Sequence, residues 1–440
     1  MQEKQHKQLG FIDCMGIGIG QIIGSGIMVL TGVVVGVTGH GTPLAFILAA
    51  LLVICTMASA VVLSSAVPSN GGGYSYVKRL IGPRAGFIYL GMFVLSQVLI
   101  ATFALGFAQY FAALVPSANQ VLVAMVILTL ATIVNYIGIK TAASVQNVMV
   151  ACLLAALALF ALFGLPKVDW STMAFTAGNI MPNGLKNFLQ GIALLSFATG
   201  GAKFLAETAG EVKNAGKTVP RAMILSTVIV AVFYALIGVV ASGVLPLDQV
   251  AFQPLTLVAQ TIFPAWLYYF FITGGALFAL ATTLNGTLSW VTRGLQLSAQ
   301  DGWLPEICAR ENKGGTPVVL LLVFYVVGVI PILTGMDTTT ISNMGVGVNQ
   351  VLLIMEVIAC WRLPQLMPEA YENATMKLKL PVLYALLVLS ILLNVGTFVI
   401  TMDGMTPTVI IAIIVFVALL IAYTLYRWKH VQSLQSKTTV

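Results

Sequence analysis

A glycine-rich stretch near the N-terminus, Gly16-Ile-Gly-Ile-Gly-Gln-Ile-Ile-Gly-Ser-Gly26, interrupts an apolar segment that runs from about Ile12 to Val37. The segment is long enough to cross a bilayer, which takes roughly 20 apolar residues as a helix. Each glycine costs roughly 1 kcal/mol against alanine in a helix, and irregular backbone inside a membrane is tolerated only where it is buried or lines a cavity. We therefore predict that a first transmembrane helix breaks at Gly24-Ser25-Gly26.

Such a break is suited to binding a small zwitterion. It exposes unpaired amides at the start of the second half-helix and unpaired carbonyls at the end of the first, with the helix dipoles behind both. The alternative is that Gly16, Gly20 and Gly24, spaced by four, form a small-residue face for close helix packing. That face leaves Gly18 and Gly26 unexplained, so we prefer the break. The stretch does not match the G-x-G-x-x-G dinucleotide fingerprint.

The composition is that of a helical membrane protein. Hydrophobic residues make up 59% of the 440 residues and charged residues only 8%, and the mean hydropathy is +0.99. Residues 1–10 are polar and precede no cleavage site, so we expect no removable signal peptide. The five cysteines lie in apolar spans or at their ends, and the three histidines have no partners at ligand spacing. We expect no disulfide, metal or other cofactor.

Apolar spans alternate with short polar connections along the whole chain. We predict twelve transmembrane helices, at 12–38, 43–66, 85–115, 119–139, 143–165, 184–211, 221–245, 266–292, 317–334, 340–361, 380–401 and 407–426. With the N-terminus inside, all but Lys167, Lys186 and Lys203 of the 21 Lys and Arg residues fall on the inner side. The positive-inside rule thus predicts a multi-pass protein of the cell inner (plasma) membrane with both termini cytoplasmic. The net charge of +7 follows from this orientation and requires no nucleic-acid partner.

A second interruption, Gly200-Gly201, lies within the span 184–211. Transporters built from inverted repeats carry broken helices at matching places in their two halves, with the substrate between them. We therefore expect a first five-helix repeat at 12–166, a second at 184–361 and two further helices at 380–426. Cytoplasmic tails at 1–11 and 427–440 complete the predicted organisation.

Four motifs, in order along nearly the whole chain, resemble those of the amino acid-polyamine-organocation permeases. They are Ile23-Gly-Ser-Gly-Ile27, Asn135-Tyr-Ile-Gly-Ile-Lys140 leading to Val145-Gln146, Glu211-Val-Lys-Asn-Ala-Gly-Lys-Thr-Val-Pro-Arg-Ala222, and Arg293 with Ser298-Ala-Gln-Asp-Gly-Trp-Leu-Pro305. The resemblance implies a leucine-transporter-like fold of 5+5 inverted repeats plus two helices, with helices 1 and 6 broken. It also implies transport of amino acids by alternating access, as a permease or antiporter.

The resemblance also implies a set of substrate-binding residues at the two breaks. In the family the substrate carboxylate meets amides that correspond here to Ser25 and Gly26, and the ammonium meets carbonyls that correspond to Ile22, Phe197 and Gly200. Phe197 occupies the place of an aromatic gate over the substrate. The remaining members of the expected site are Gly24, Ala198, Ala202 and Lys203.

The chain departs from the family at two positions that bear on mechanism. Many members have an aromatic residue and then an acidic or amide residue after the second glycine, where this chain has Ala202-Lys203. Seven residues after Gln146, many members carry a lysine that can replace a sodium ion, but here the residue is Leu153. Substrate specificity and a proton route through helix 5 therefore cannot be carried over from the family.

Ionisable groups inside a span are expensive and functional by default. Lys203 and Glu207 are four residues apart, so on an α-helix they would share a face and could neutralise each other. The other interpretation is that Lys203 reaches the pocket for the substrate side chain. We expect Glu356 to act in a gate or interface salt bridge, Glu211 to pair with a lysine or arginine of a loop, and Asp13 to stabilise a helix N-terminus.

Other functions and partners remain open from the sequence. Transport of amines or polyamines is an alternative within the same superfamily, and a channel or a membrane enzyme is a more remote one. No metal-ligand set or Ser/His/Asp constellation indicates an enzyme. Thr282 and Thr283 are candidates for an ion site, with a proton or sodium as the coupling ion.

Overall fold

The protein is described from a computed structural model, which covers residues 8–24, 26–174, 176–336, 338–403 and 405–438. All regular structure in these ranges is helical. Two isolated β-bridges complete it, Leu9 with Val212 in parallel and Asn70 with Thr208 in antiparallel orientation.

The helices follow one another with short connections. The first half contains α1 (Phe11–Ile22), α2 (Thr31–Thr38), α3 (Thr42–Thr56), α4 (Ala58–Ala66), α5 (Gly72–Leu80), α6 (Pro83–Ser96), α7 (Leu99–Leu114), α8 (Gln120–Ile137), α9 (Ile139–Gly164) and α10 (Ala177–Ile180). The second half contains α11 (Gly184–Thr199), α12 (Ala215–Gly243), α13 (Leu247–Val250), α14 (Thr256–Ile262), α15 (Ala265–Phe270), α16 (Phe278–Trp290), α17 (Thr292–Gln300), α18 (Val318–Thr334), α19 (Thr338–Leu366), α20 (Pro368–Glu372), α21 (Leu380–Asp403) and α22 (Pro407–Thr438).

Ten segments within the described ranges are long and apolar enough to cross a membrane, and two further apolar helices, α1 and α18, are shorter. The chain is therefore a multi-pass membrane protein. The predicted spans 12–38 and 43–66 are divided differently in the structure. The α-helix of the first ends at Ile22, and α2 runs through a short 3-10 turn at Gly39–Gly41 into α3 and α4. Gly39 takes a positive φ of 55° there, a conformation that glycine adopts without strain.

The centre of the bundle is formed around α1. Nine of its twelve residues are buried, and it packs against α9, α12, α16 and the segment that follows α11. By contrast, α22 is mostly exposed along its apolar length, as expected for a helix that faces lipid.

The last part of α22 docks on the segment that follows α17. Trp428 stacks on Trp303 with 5.9 Å between ring centroids, and the guanidinium carbon of Arg84 lies 4.5 Å from the centroid of the Trp428 ring. The Tyr423 hydroxyl donates to the Trp303 carbonyl at 2.9 Å. Trp303 itself is fully buried. The end of α22 is thereby joined to residues just beyond α17.

Candidate functional site

The first helix is interrupted where the glycines predict it. After α1 ends at Ile22, the Gly24 amide donates to the Ile22 carbonyl at 3.0 Å. The chain resumes as a π-helical turn at Gly26–Leu30 and then as α2. Ser25, one of the predicted carboxylate contacts, lies outside the described residues. We call α1, this turn and α2 together the first broken helix.

The second interruption begins at Gly200, again as the sequence predicts. Here α11 ends at Thr199 and a 3-10 helix continues from Gly200 to Glu207. We call α11 and this 3-10 segment the second broken helix. Its second part is not α-helical, and this changes which side chains share a face. With three residues per turn, positions four apart are rotated by about 120° instead of lying one above the other.

The two interruptions touch through their backbones. A Cβ on Gly201 would lie only 2.2 Å from the Gln21 carbonyl oxygen, and a Cβ on Gly26 would lie 2.6 Å from the Cβ of Ala198. Glycine is therefore required at both places for the helices to approach. A Cβ on Gly200 would meet no atom within 4 Å. Space beside the second interruption thus remains open.

The structure brings most of the predicted substrate-binding residues into this region. Ile22, Gly24, Ala198 and Ala202 are buried, whereas Gly26, Gly200 and Lys203 are half-buried. The Ile22 carbonyl already accepts hydrogen bonds from the Gly24 amide and, at 3.2 Å, from the Tyr234 hydroxyl. A role for this carbonyl in binding an ammonium group would have to replace one of these donors, because a carbonyl has two lone pairs. Phe197 lies in α11, and its side chain is outside the described part.

Lys203 and Glu207 do not pair in the part of the chain that the structure describes. The Lys203 Nζ lies 5.3 Å from the centroid of the Phe204 ring, which stacks on Trp290 with 4.5 Å between centroids. The carboxylate that interacts electrostatically with Lys203 is Glu356. The 3-10 geometry explains why the predicted i, i+4 pair does not form.

Thr282 and Thr283 belong to α16 and lie against the first broken helix. The Thr283 hydroxyl donates to the Gly20 carbonyl at 3.0 Å, and the Thr282 hydroxyl donates to Ala279 of its own helix at 2.9 Å. A Cβ on Gly20 would lie 3.0 Å from the Cβ of Thr282. Both threonines are buried. The two adjacent side chains therefore both border α1.

A buried amide network around these threonines escaped the sequence analysis. The Gln21 Nε2 donates to the Thr283 carbonyl and the Gln146 Nε2 to the Thr282 carbonyl, both at 3.0 Å. The Asn285 Nδ2 donates to the Gln146 Oε1 at 2.9 Å. Buried polar groups must be hydrogen-bonded, so this network fixes α1, α9 and α16 relative to one another. An amide within an apolar span, such as Gln21, is the signal that could have indicated it.

At one end of the bundle, loops cover the first broken helix. The Phe252 amide donates to the Gly32 carbonyl at 2.8 Å. The Asn183 Nδ2 donates to the Gly36 and Val37 carbonyls, both at 3.1 Å. These contacts close the bundle at this end.

At the opposite end a cavity of about 890 Å³ opens. Its lining includes Asn70, Tyr74, Lys78, Arg79, Lys217 and Asp301. The Lys78 Nζ lies 2.6 Å from Asp301, and the Tyr74 hydroxyl donates to the same carboxylate. Burial and the neighbouring Asp301 raise the pKa of Tyr74, so its hydroxyl remains a donor. Both contacts join α5 to the residue that follows α17.

Two predicted roles for acidic residues can be checked directly. Glu211 forms an ion pair with Arg293 of α17, with 2.7 Å between Oε1 and Nε. Asp13 accepts from the Gly10 amide at the start of α1 at 2.9 Å and also pairs with Lys140 at 3.1 Å. Glu211 thus has the predicted basic partner, although on a helix and not on a loop, and Asp13 caps the helix N-terminus as expected.

A multi-pass helical bundle whose central helix is interrupted beside a second interrupted helix defines the class of membrane permeases. The chain belongs to the amino acid permease family, whose family model matches residues 9–420. The resemblance to the amino acid-polyamine-organocation superfamily is therefore confirmed. The protein is a transporter and not an enzyme.

Individual relatives are transporters of small molecules. The chain is 27% identical to the branched-chain amino acid permease BcaP of Bacillus subtilis, over 96% of this chain and 94% of the relative. It is 28% identical to the large neutral amino acids transporter small subunit 2 of Homo sapiens, over 82% and 71%. It is also 28% identical to the methylthioribose transporter of Bacillus subtilis, over 70% of each chain.

Proposed function

We propose that the protein moves a neutral amino acid across the cell inner membrane by alternating access, with the substrate backbone held between the two broken helices. The observation that carries the proposal is the backbone contact of Gly201 with Gln21 beside the open space at Gly200. Helix ends at such a break offer amides to a carboxylate and carbonyls to an ammonium. Gly24, Ser25 and Gly26 are the proposed carboxylate side of the site.

The proposed ammonium side consists of the Ile22, Phe197 and Gly200 carbonyls. Ala198, Ala202 and Lys203 would border the substrate side chain, and Phe197 would be the gate above it. The substrates for which two relatives are named, branched-chain and large neutral amino acids, support a neutral apolar side chain.

The organisation that we propose has twelve crossings, with repeats at 12–166 and 184–361, additional helices at 380–426, and cytoplasmic tails at 1–11 and 427–440. The ten long apolar segments and the two shorter helices are compatible with twelve crossings. This requires that the two 36-residue segments, Thr31–Ala66 and Ala265–Gln300, are interrupted by their internal turns and are not single straight helices. A straight helix of 36 residues would be about 54 Å long, well above the roughly 30 Å of a bilayer core.

With both termini in the cytoplasm, the 890 Å³ cavity faces inward and the covered end faces outward. The conformation would then be an inward-facing state of the transport cycle. Contacts at Gly32 and Gly36 would have to open to admit substrate from outside. Thr282 and Thr283 are the proposed site for the case in which the coupling ion is sodium, and the Thr283 contact with the Gly20 carbonyl supports this position.

Amines and polyamines are the alternative substrate class. They are less consistent with the half-buried ammonium of Lys203 beside the second interruption, because a cationic substrate would be repelled strongly by Lys203 in a site of low dielectric. The methylthioribose transporter among the relatives is a reason to test a substrate without an amino acid backbone.

The experiment is counterflow in proteoliposomes preloaded with unlabelled compound. Labelled leucine, phenylalanine, putrescine and methylthioribose are compared, with and without a sodium gradient. We expect counterflow of leucine or phenylalanine and none of putrescine. Counterflow of putrescine alone, or of methylthioribose alone, would refute the amino acid assignment.

A further inference from the structure

A cluster of ionisable groups lies where the second broken helix meets α5, α6 and α19, and Lys203 is its member among the proposed substrate contacts. Glu207 is 5% exposed, and its Oε1 accepts from the Gly73 amide at 3.0 Å. The Glu356 Oε1 accepts from the Tyr89 hydroxyl at 2.7 Å. A Cβ on Gly73 would lie 2.8 Å from that same Glu356 oxygen. Gly73 therefore touches both carboxylates.

The charges in this cluster do not balance. Lys203 lies close enough to Glu356 for their charges to act on each other, without a direct ion pair in the described part of the chain, so one ammonium serves two carboxylates. The charged group that acts on Glu207 is Glu356, which has the same sign. The other groups beside the two carboxylates are the hydroxyls of Tyr76 and Tyr89, and the charge of Arg79 acts on Tyr76. Among the described residues, the hydrogen-bond donor to the Glu207 carboxylate is the Gly73 amide, and no basic group forms an ion pair with it.

Glu207 could be explained as a cap for the N-terminus of α5, since Gly73 is the second residue of that helix. A helix dipole favours an anion there, but its effect is smaller than the cost of burying an unpaired charge at membrane depth. Repulsion between the two carboxylates acts in the same direction as burial. The balance therefore favours a neutral Glu207 with a proton bound.

Glu207 does not line the cavity, but its neighbours in the fold do. The Gly71 amide donates to the Glu207 carbonyl at 3.0 Å, and Asn70, which lines the cavity, bridges to Thr208. Gly71, Gly72 and Gly73 each lack room for a Cβ, because Gly294, Ala206 and Tyr89 pack against them. Release of a proton from Glu207 to the cavity would require this junction to rearrange.

We propose that Glu207 is the proton-carrying residue of a proton–amino acid symporter, an inference that rests on the proposed function. One proton binds to the Glu207 carboxylate from the outer side, crosses with one amino acid, and passes to cavity water when the Gly73 contact opens. The charges of Lys203 and Glu356 do not change during the cycle. No covalent bond to the substrate is made or broken.

The test uses proteoliposomes with labelled leucine, valinomycin and potassium to hold the voltage at zero, and an outer pH one unit below the inner pH. One proton per leucine gives up to about tenfold accumulation, because one pH unit is a factor of ten in proton activity. We expect Glu207→Gln to lose this accumulation while it keeps leucine counterflow, since exchange needs no net proton movement. The exposed Glu306→Gln is the matched control and should keep both.

Several results would overturn the inference. Wild-type counterflow with no response to the pH gradient would exclude proton coupling but leave amino acid transport intact. Full accumulation by Glu207→Gln would exclude Glu207 as the carrier. If Glu207→Gln loses counterflow as well, Glu207→Asp decides on the residue, because an ionisable carboxylate there should restore both counterflow and accumulation, and counterflow without accumulation would refute the carrier role. Internal pyranine in wild-type liposomes decides on symport. Acidification by about one proton per leucine supports symport, and none refutes it. Absence of wild-type counterflow for every amino acid would instead refute the proposed function.

Discussion

The Nε atom of Arg293 lies 2.7 Å from the Oε1 atom of Glu211, and both residues are almost fully buried. The Glu211 carbonyl also accepts from the Gln8 and Leu9 amides, each at 3.0 Å. One residue thus joins the end of the second broken helix to α17 and to the chain before α1. We expect this junction to stabilise the conformation with the open cavity.

The first prediction concerns this ion pair. Glu211→Gln should lower the free energy of unfolding by about 3–5 kcal/mol, because it leaves the Arg293 charge buried without a partner. The exposed pair of Glu372 with Lys377 provides a control, and Glu372→Gln should cost at most about 1 kcal/mol. Thermal unfolding in detergent measures both. Similar losses in the two variants would contradict the structural role of the buried pair.

The second prediction is that Gly26→Val abolishes transport while the protein remains inserted in the membrane. A Cβ at this position would clash with Ala198, so the two interruptions would have to separate. Gly396→Val is the control, because a Cβ there meets no atom within 4 Å. Counterflow is measured at matched protein content. Normal counterflow kinetics in Gly26→Val would exclude the proposed site.

The third prediction concerns the gate proposed at Phe197. Phe197→Ala should slow exchange more than it weakens equilibrium binding, because a gate commits a bound substrate whereas backbone contacts survive the substitution. Exchange rates and leucine affinity are measured on the same preparation. Equal proportional losses would count against gating.

The fourth prediction distinguishes the partner of Lys203. Lys203→Met and Glu356→Gln should show a coupling energy of at least about 0.5 kcal/mol in a double-mutant cycle of thermal stability, as interacting residues do. Lys203→Met and Glu207→Gln should be close to additive. If Lys203→Met is instead coupled to Glu207→Gln and additive with Glu356→Gln, the partner of Lys203 is Glu207, as the i, i+4 spacing predicts. If Lys203 also borders the substrate side chain, Lys203→Met should change the order of preferred substrates.

The positions of the two interruptions could be predicted because glycine acts locally. Gly24 and Gly200 disfavour helix wherever the surrounding chain lies, and the structure ends an α-helix next to each. The partner of Lys203 could not be predicted in this way. Its assignment to Glu207 assumed 3.6 residues per turn, and the 3-10 geometry of Gly200–Glu207 depends on packing against α1, which is distant in sequence.

The amide network illustrates a second limit of sequence reasoning. Gln21 and Asn285 are more than 260 positions apart in the chain, and no local pattern indicates that Gln21 of α1 reaches α16 or that Asn285 of α16 reaches Gln146 of α9. A buried amide predicts that a partner exists, but the partner is chosen by how the helices cross. The same holds for Gly73, whose contact with two carboxylates depends on three separate helices.

The length of α22 has a practical consequence. Its 32 residues extend for about 48 Å, so a substantial part stands beyond the hydrocarbon layer as a rigid rod. Because Trp428 rests on Trp303, two positions after the Asp301 that pairs with Lys78, the rod is attached to the segment beside the cavity. A fluorophore or antibody fragment attached to this part of α22 would therefore report the conformational cycle from outside the membrane. Immobilising this part of α22 would slow the cycle.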